Sequence, residues 1–303
     1  MSARKRATCA FGARTRCLPA DGGRVTGFVG CPPEEELAAR RHHHLVDLDN
    51  FLEGAPARGE SLLPRTTCRI IHRLLDNALH LKPDEILIDE GYGKCDSARG
   101  LADLLEDLLG IPVIRTRNEN RAGAGTPICD SDLPVLRKVE LILQGLLEPQ
   151  PLELRRESSP RAAIWGVPAA DFSIYGLFPD GTQILGWTRC LENRTPADWE
   201  LEMWAPEGRP TVFFSQTFCA KGIIAQRLAR KHDGLYVDAD GALSQPVRAK
   251  IEAFLRFRGV TCAFQEGSGA AHSGPRGSFR VRGALPAPHA PGSRPPPRAS
   301  EWG

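Results

Sequence analysis

Residues 85–115, EILIDEGYGKCDSARGLADLLEDLLGIPVIR, decide the fold. Glu85–Asp89 is a short apolar run of the kind that forms a buried strand. After Gly91-Tyr92-Gly93-Lys94, the residues Leu101, Leu104, Leu105 and Leu108 recur at three- and four-residue spacing. That spacing places them on one face of a helix, which Gly110 closes. A second apolar run, 111–115, follows at once. A strand, a helix and a strand joined this tightly predict a parallel pair with a right-handed crossover.

The same alternation extends in both directions. Residues 24–29 read as a strand, and Gly30-Cys31-Pro32-Pro33 leads into a charged helix from Glu34, its prolines suiting a first turn. Ile70, Ile71, Leu74, Leu75, Ala78 and Leu79 share one face of a helix that Pro83 ends, and 133–147 reads as a helix opened by Ser131 or Asp132. Beyond it, 162–167 is a strand, and 174–178 and 182–187 flank Pro179-Asp180-Gly181 as a hairpin. Then come a strand at 212–218, a helix at 220–231, a strand at 235–238, and a helix Gln245–Phe257 begun by Ser244 and Pro246. The pattern predicts an α/β fold of mostly parallel, Rossmann-like sheet with flanking helices in two halves, 24–147 and 161–258, joined by a linker at 148–160. The ends, 1–23 and 259–303, are rich in Gly, Pro, Ser and Arg and read as disordered.

Charge is divided along the chain. Residues 1–24 carry six basic side chains against Asp21, and residues 256–303 carry seven arginines against Glu266 and Glu301. With a net charge of +2 overall, the core between them is at −8. An acidic core argues against a specific nucleic-acid-binding fold, which shows a basic stripe on its folded surface. No apolar run approaches the roughly 20 residues of a membrane span, and the Arg-rich start lacks a secretory apolar segment. The expected location is the cytoplasm.

Nine cysteines, odd in number and irregular in spacing, then point to free thiols, metal ligands or reactive sites rather than bridges. There is no CxxC. In open α/β sheets, ligands bind beyond the carboxyl ends of the strands, where loops enter helix N-termini. Cys31, Cys95 and Cys219 have that address, and Cys129, closing the loop after the 111–115 strand, is assigned to the same edge. Helix N-termini favour thiolates, the form that binds soft metals or attacks carbon. These four are the candidate ligands of zinc or an iron–sulfur cluster, although cysteine often simply packs as a small buried hydrophobe. Cys9, Cys17, Cys68, Cys190 and Cys262 lack this address.

Two further patterns concern anions. Gly91, Gly93 and Lys94 could cradle one, as could Cys219-Ala220-Lys221-Gly222, but neither matches a nucleotide fingerprint. Arg115, Arg117 and Arg121 form a basic loop suited to phosphate or carboxylate. Asp89, Glu90, Asp238 and Asp240 end strands and are candidate acids, bases or magnesium ligands. His42-His43-His44 reads as a solvated helix face, because successive helical residues diverge by about 100°.

Three readings follow. One is a metal- or cluster-binding redox enzyme or metallocofactor assembly factor. Another is a metal-free enzyme acting on a phosphorylated or carboxylate ligand with a cysteine nucleophile, and the third is a non-catalytic binding module. All three take a small molecule or metallocofactor as partner, and the fold class alone does not choose among them.

Overall fold

The computed structural model describes residues 23–50, 52, 62–121, 123, 125–147, 159–196, 199–239 and 241–260. Nearly all of the expected tails and of the expected linker lie outside this set. Within it are two four-stranded, all-parallel sheets with flanking helices, an α/β fold. Both sheets belong to one compact unit.

The first sheet contains β1 (Val25–Val29), β2 (His44–Asp47), β3 (Glu85–Asp89) and β4 (Val113–Thr116), in the order β2-β1-β3-β4. Its pairing is in register along the quoted segment, with Phe28 opposite Leu87 and Ile88 opposite Arg115. β1 and β3 are buried at every position, as a sheet covered on both faces requires. Between the strands run α1 (Glu34–Ala39), α2 (Arg69–Leu81) and α3 (Asp96–Leu109). α2 buries Ile71, Leu74, Leu75, Ala78 and Leu81 and stops at Lys82, which turns left-handed (φ 47°) before Pro83. α3 buries Ala98, Leu101, Ala102 and Leu105 and ends on Gly110 at φ 59°. Leu108, placed on the apolar face by spacing, is exposed.

The second sheet repeats the order with β5 (Ala163–Gly166), β6 (Gln183–Gly186), β7 (Thr211–Gln216) and β8 (Leu235–Ala239), arranged β6-β5-β7-β8. Its helices are α5 (Trp187–Glu192), α6 (Trp199–Met203), α7 (Lys221–Lys231) and α8 (Gln245–Phe257). α4 (Val135–Leu147) comes between the sheets in sequence, and its Val135, Val139, Ile142 and Leu146 join the core around Trp165, Ile184 and Phe213. Lys138 on that helix is fully buried, donating to the carbonyls of Cys129 and Thr182.

Two expectations are corrected. The hairpin at 174–187 does not form. Phe172–Leu177 is a 3-10 helix, capped by Asp171 accepting from the Ser173 amide, and β6 runs parallel to β5. The turn at Pro179 exists, with Thr182 donating to the Pro179 carbonyl, but it leads into a crossover strand. The histidine triplet is not a helix face, because α1 ends before it and His44 begins β2. His43 instead lies 2.8 Å from the Thr26 hydroxyl and 3.5 Å from Glu85.

Candidate functional site: a cysteine-lined cleft

In each sheet the chain crosses from its first strand to one neighbour and then returns to the other side. The loops after β1 and β3, and after β5 and β7, therefore diverge and leave a crevice. The two crevices contribute to one cavity of about 230 Å³. It is lined by Gly30 and Cys31 after β1, Asp47, Asp49 and Asn50 around the end of β2, and Asp89, Lys94 and Cys95 after β3. The second half supplies Val167 and Pro168 after β5, Trp187 and Cys190 after β6, and Phe218, Cys219 and Lys221 after β7. The volume is below the roughly 300–1,000 Å³ of drug-sized sites, so the cleft suits a small ligand.

Buried amides fix the first half's loops. Asn77, fully buried on α2, donates from Nδ2 to the carbonyls of Leu48 and Asn50, 2.8 Å each. Asp47 then accepts from the Asp49 amide (2.9 Å) and from Asn50 Nδ2 (2.7 Å), while Asp49 accepts the Gly30 amide at 2.6 Å. Asp89 accepts the amides of Gly91 and Asn118, and Asn118 Nδ2 donates to the carbonyls of Cys31 and Arg194. Gly30 is at φ 77°, and a methyl group on it would come 2.6 Å from Lys94 Nζ. A glycine here lets the lysine ammonium lie against the backbone beside Asp89. In the second half Gly186, also at φ 77°, brings the chain close to Gly166, and Lys221 pairs with Glu202.

Five of the six described cysteines, Cys31, Cys68, Cys95, Cys190 and Cys219, line this cleft. Cys95 is the N-cap residue of α3 and is exposed. Burial, then the Asp89 carboxylate, pushes the Cys31 thiol up to about 12. Cys68 and Cys219 line the cleft from opposite halves, near enough for each thiol to shift the ionisation of the other. Their segments are also joined by the Arg69 amide, which donates to the Thr217 carbonyl at 3.3 Å. The neighbouring Cys219 thiol outweighs burial and lowers the Cys68 thiol to about 7. Cys219 is pushed well up, by Cys68 first and then by its burial. Beside it, Phe218 adopts φ 61°, a strained conformation for a bulky residue.

Cys129 stands elsewhere. It is fully buried in the turn before α4, its amide donates to Glu192, and burial followed by the Glu192 carboxylate raises its thiol. Of the anion-loop residues, Gly93 and Lys94 line the cleft, and the Gly91 amide is held by Asp89. Arg115 pairs with Glu90 and Asp103, and the Arg121 guanidinium lies over the Tyr92 ring at 5.7 Å. Arg117 lines a separate polar pocket with Glu34, Glu119 and Arg194. Asp238 is an exposed residue of β8, and Asp240 lies outside the described residues.

The strand-end criterion passed over Cys68 and Cys190. Cys68 precedes a periodic apolar run and is the N-cap of a 13-residue helix, a signal present in the sequence. Cys190 lies within the short α5 and carries no local signal.

Among the described residues, no group of three or more His, Cys, Asp or Glu side chains is placed to hold a metal ion, and no helix is long and apolar enough to cross a membrane. No protein-family model matches the chain, and a search of curated proteins finds no similar sequence.

Proposed function

We propose that the protein performs thiol–disulfide exchange on a small ligand in this cleft, with Cys68 attacking and Cys219 resolving. The observation that carries the reading is that Cys68, at the N-terminus of α2, and Cys219, from the other half, line one cleft with their segments joined by the Arg69 amide on the Thr217 carbonyl. A thiolate held by a helix N-terminus and a neighbouring thiol is the form that attacks a disulfide. The Cys68 thiolate adds to one sulfur of a disulfide RSSR, giving a Cys68–SR mixed disulfide and releasing RS⁻. Cys219 then loses its proton to solvent and attacks the Cys68 sulfur, closing a Cys68–Cys219 bond and releasing the second RS⁻. Two protein thiols are oxidised and one disulfide is reduced to two thiols. A low-molecular-weight thiol reverses the steps. The chemistry suits a cytoplasmic protein, where the thiol pool keeps such pairs reduced between turnovers.

Treating the reduced protein with bis(2-hydroxyethyl) disulfide and mapping peptides without reductant tests this. The expected product is one Cys68–Cys219 cross-link with two thiols lost. A Cys68 that alkylates like an ordinary exposed thiol and never links to Cys219 would refute the reading.

A second reading is favoured by the five cysteines that share the cavity. As placed, no three of them can hold one metal ion, so this reading requires the loops that carry them to draw together around zinc or an iron–sulfur cluster, the latter accepting sulfurs spaced more widely than one ion does. Metal analysis of anaerobically purified protein, followed by reconstitution with iron and sulfide, tests it. Bound metal lost on changing Cys31, Cys95 and Cys219 together to serine supports this reading, and metal-free protein that resists reconstitution excludes it.

A further inference from the structure

We infer that the cleft takes a ligand with a single uncharged aromatic ring beside its sulfur, received by Tyr92 from one half and Phe218 from the other. The inference rests on the exchange reading and names its substrate class, a small aryl or arylmethyl thiol or its disulfide.

The two side chains hold corresponding places. β3 and β7 are the third strands of sheets with the same order, and the turn after each carries an aromatic residue and then a cysteine. Both Tyr92 and Phe218 line the cleft, and both are left open by folding, 64% and 55% exposed. Neither sits on a loose loop. The Gly91 amide is held by Asp89, a methyl group on Gly91 would come 2.8 Å from the Asn118 carbonyl, and the Arg121 guanidinium lies over the Tyr92 ring. Phe218 keeps its φ of 61° between two backbone ties, the Thr217 amide on the Ala239 carbonyl at 3.3 Å and the Cys219 amide on the Gln216 carbonyl at 3.0 Å. Strain of this kind persists only where the surroundings impose it, and ligand clamps are among the places where it gathers.

Charge and size then set the occupant. Lys221 is paired with Glu202, Asp49 accepts the Gly30 amide, Asp47 accepts from Asn50, Asp89 accepts two amides, and Lys94 lies against Gly30 beside Asp89. The charged groups of the wall are engaged within the wall, so a charged ligand group would give up its hydration without a dedicated counterion. Ile70, Val167, Pro168, Trp187 and Leu191 line much of the rest. An apolar cavity of roughly 150 Å³ holds a benzene. At about 230 Å³ this one takes a ring with the sulfur that carries it, and is too small for a nucleotide or a second ring. A flat ring can meet the two aromatic side chains edge to face or offset, a preference that a saturated chain of the same size lacks.

The experiment uses the full chain, reduced, and three uncharged methanethiosulfonates with one leaving group: benzyl, n-pentyl and 2-hydroxyethyl. The Cys68 thiolate attacks the sulfur that bears the organic group, forming a mixed disulfide and releasing methanesulfinate. Rates at Cys68 are read by mass spectrometry and divided by the rate of each reagent with a free model thiol. The benzyl reagent is expected to exceed the 2-hydroxyethyl one by about tenfold or more and the n-pentyl one by about threefold or more. Tyr92→Leu and Phe218→Leu, which keep apolar bulk without a ring, should bring benzyl toward pentyl, whereas Phe257→Leu, at an exposed ring outside the cleft, should leave the preference in place. Equal normalised rates for benzyl and pentyl would overturn the inference and leave the exchange reading intact. A Cys68 that reacts with none of the three would sink the exchange reading, and the ring site is then decided by thioethers, which cannot exchange. A Tm raised by millimolar benzyl methyl sulfide and not by pentyl methyl sulfide would support it, and equal shifts or none would overturn it.

Discussion

The amide of Arg69 donates to the carbonyl of Thr217 across 3.3 Å, so the first turn of α2 in one half is tied to the turn after β7 in the other. Cys68 and Cys219 flank this bond, one residue before Arg69 and two after Thr217, and both line the cleft. The pair depends on two loops from different sheets holding their positions.

If the Cys219 thiol is what makes Cys68 acidic, Cys219→Ala should move the midpoint of Cys68 alkylation from about 7 toward the ordinary value near 8.5. At pH 7 the thiolate fraction then falls more than tenfold, but the more basic thiolate is the better nucleophile. The net loss of rate is roughly threefold. Iodoacetamide rates measured from pH 5 to 10 check this, and an unmoved midpoint would assign the shift to the helix alone.

Asp47 makes a statement about stability. Burial, then the neighbouring Asp49 carboxylate, raises its carboxyl to about 8. A group whose folded value lies above its unfolded one gives stability that is complete below about pH 4 and lost as pH rises through about 8. Asp47→Asn should therefore gain on the wild type as pH rises, with a larger Tm advantage at pH 9 than at pH 5. Equal differences at both pH values would mean that Asp47 ionises as readily folded as unfolded.

Phe218 holds a backbone conformation that costs a bulky residue about 1–2 kcal/mol. Phe218→Gly removes that cost but adds roughly 0.5–1 kcal/mol of unfolded-chain freedom. Urea unfolding should show a gain of up to about 1.5 kcal/mol, together with weaker ligand retention because an aromatic wall is lost. Marked destabilisation would instead show that ring packing maintains the strain.

Asn77→Leu leaves the carbonyls of Leu48 and Asn50 without their buried donor. The expected cost is about 2–4 kcal/mol, from two lost hydrogen bonds and the acceptors left unmet. Hydrogen exchange should also rise at the Asp49 and Asn50 amides. A stable variant with unchanged exchange would show that the loop holds itself.

Where a local pattern was sufficient, the sequence was legible: Glu85–Asp89 and Gln245–Phe257 form over the residues expected. The strand-end address placed Cys31 and Cys95 on one edge of the first sheet and Cys219 on the corresponding edge of the second, but that the two edges share a cavity was not legible in the sequence. Cys95 and Cys219 follow the third strand of their respective sheets, an equivalence visible only once both strand orders are known. The partner of Cys219 was not legible. Cys68 lies on the connection from β2 to α2, but β2 was not expected from the sequence, and the contact that matters joins segments far apart in the chain. The 174–178 run misled because five apolar-rich residues fit a short 3-10 helix as well as a short strand, and the Asp171 cap decided between them.

α4 has a consequence for how the protein is made. The helix leaves the ribosome before any strand of the sheet that its Val135, Val139, Ile142 and Leu146 will cover. At ordinary elongation rates the stretch from Ala163 to Ala239 takes roughly 4–15 s to synthesise. For that interval an apolar helix face waits without its partner, and nascent chains halted in this window are the ones a chaperone would find.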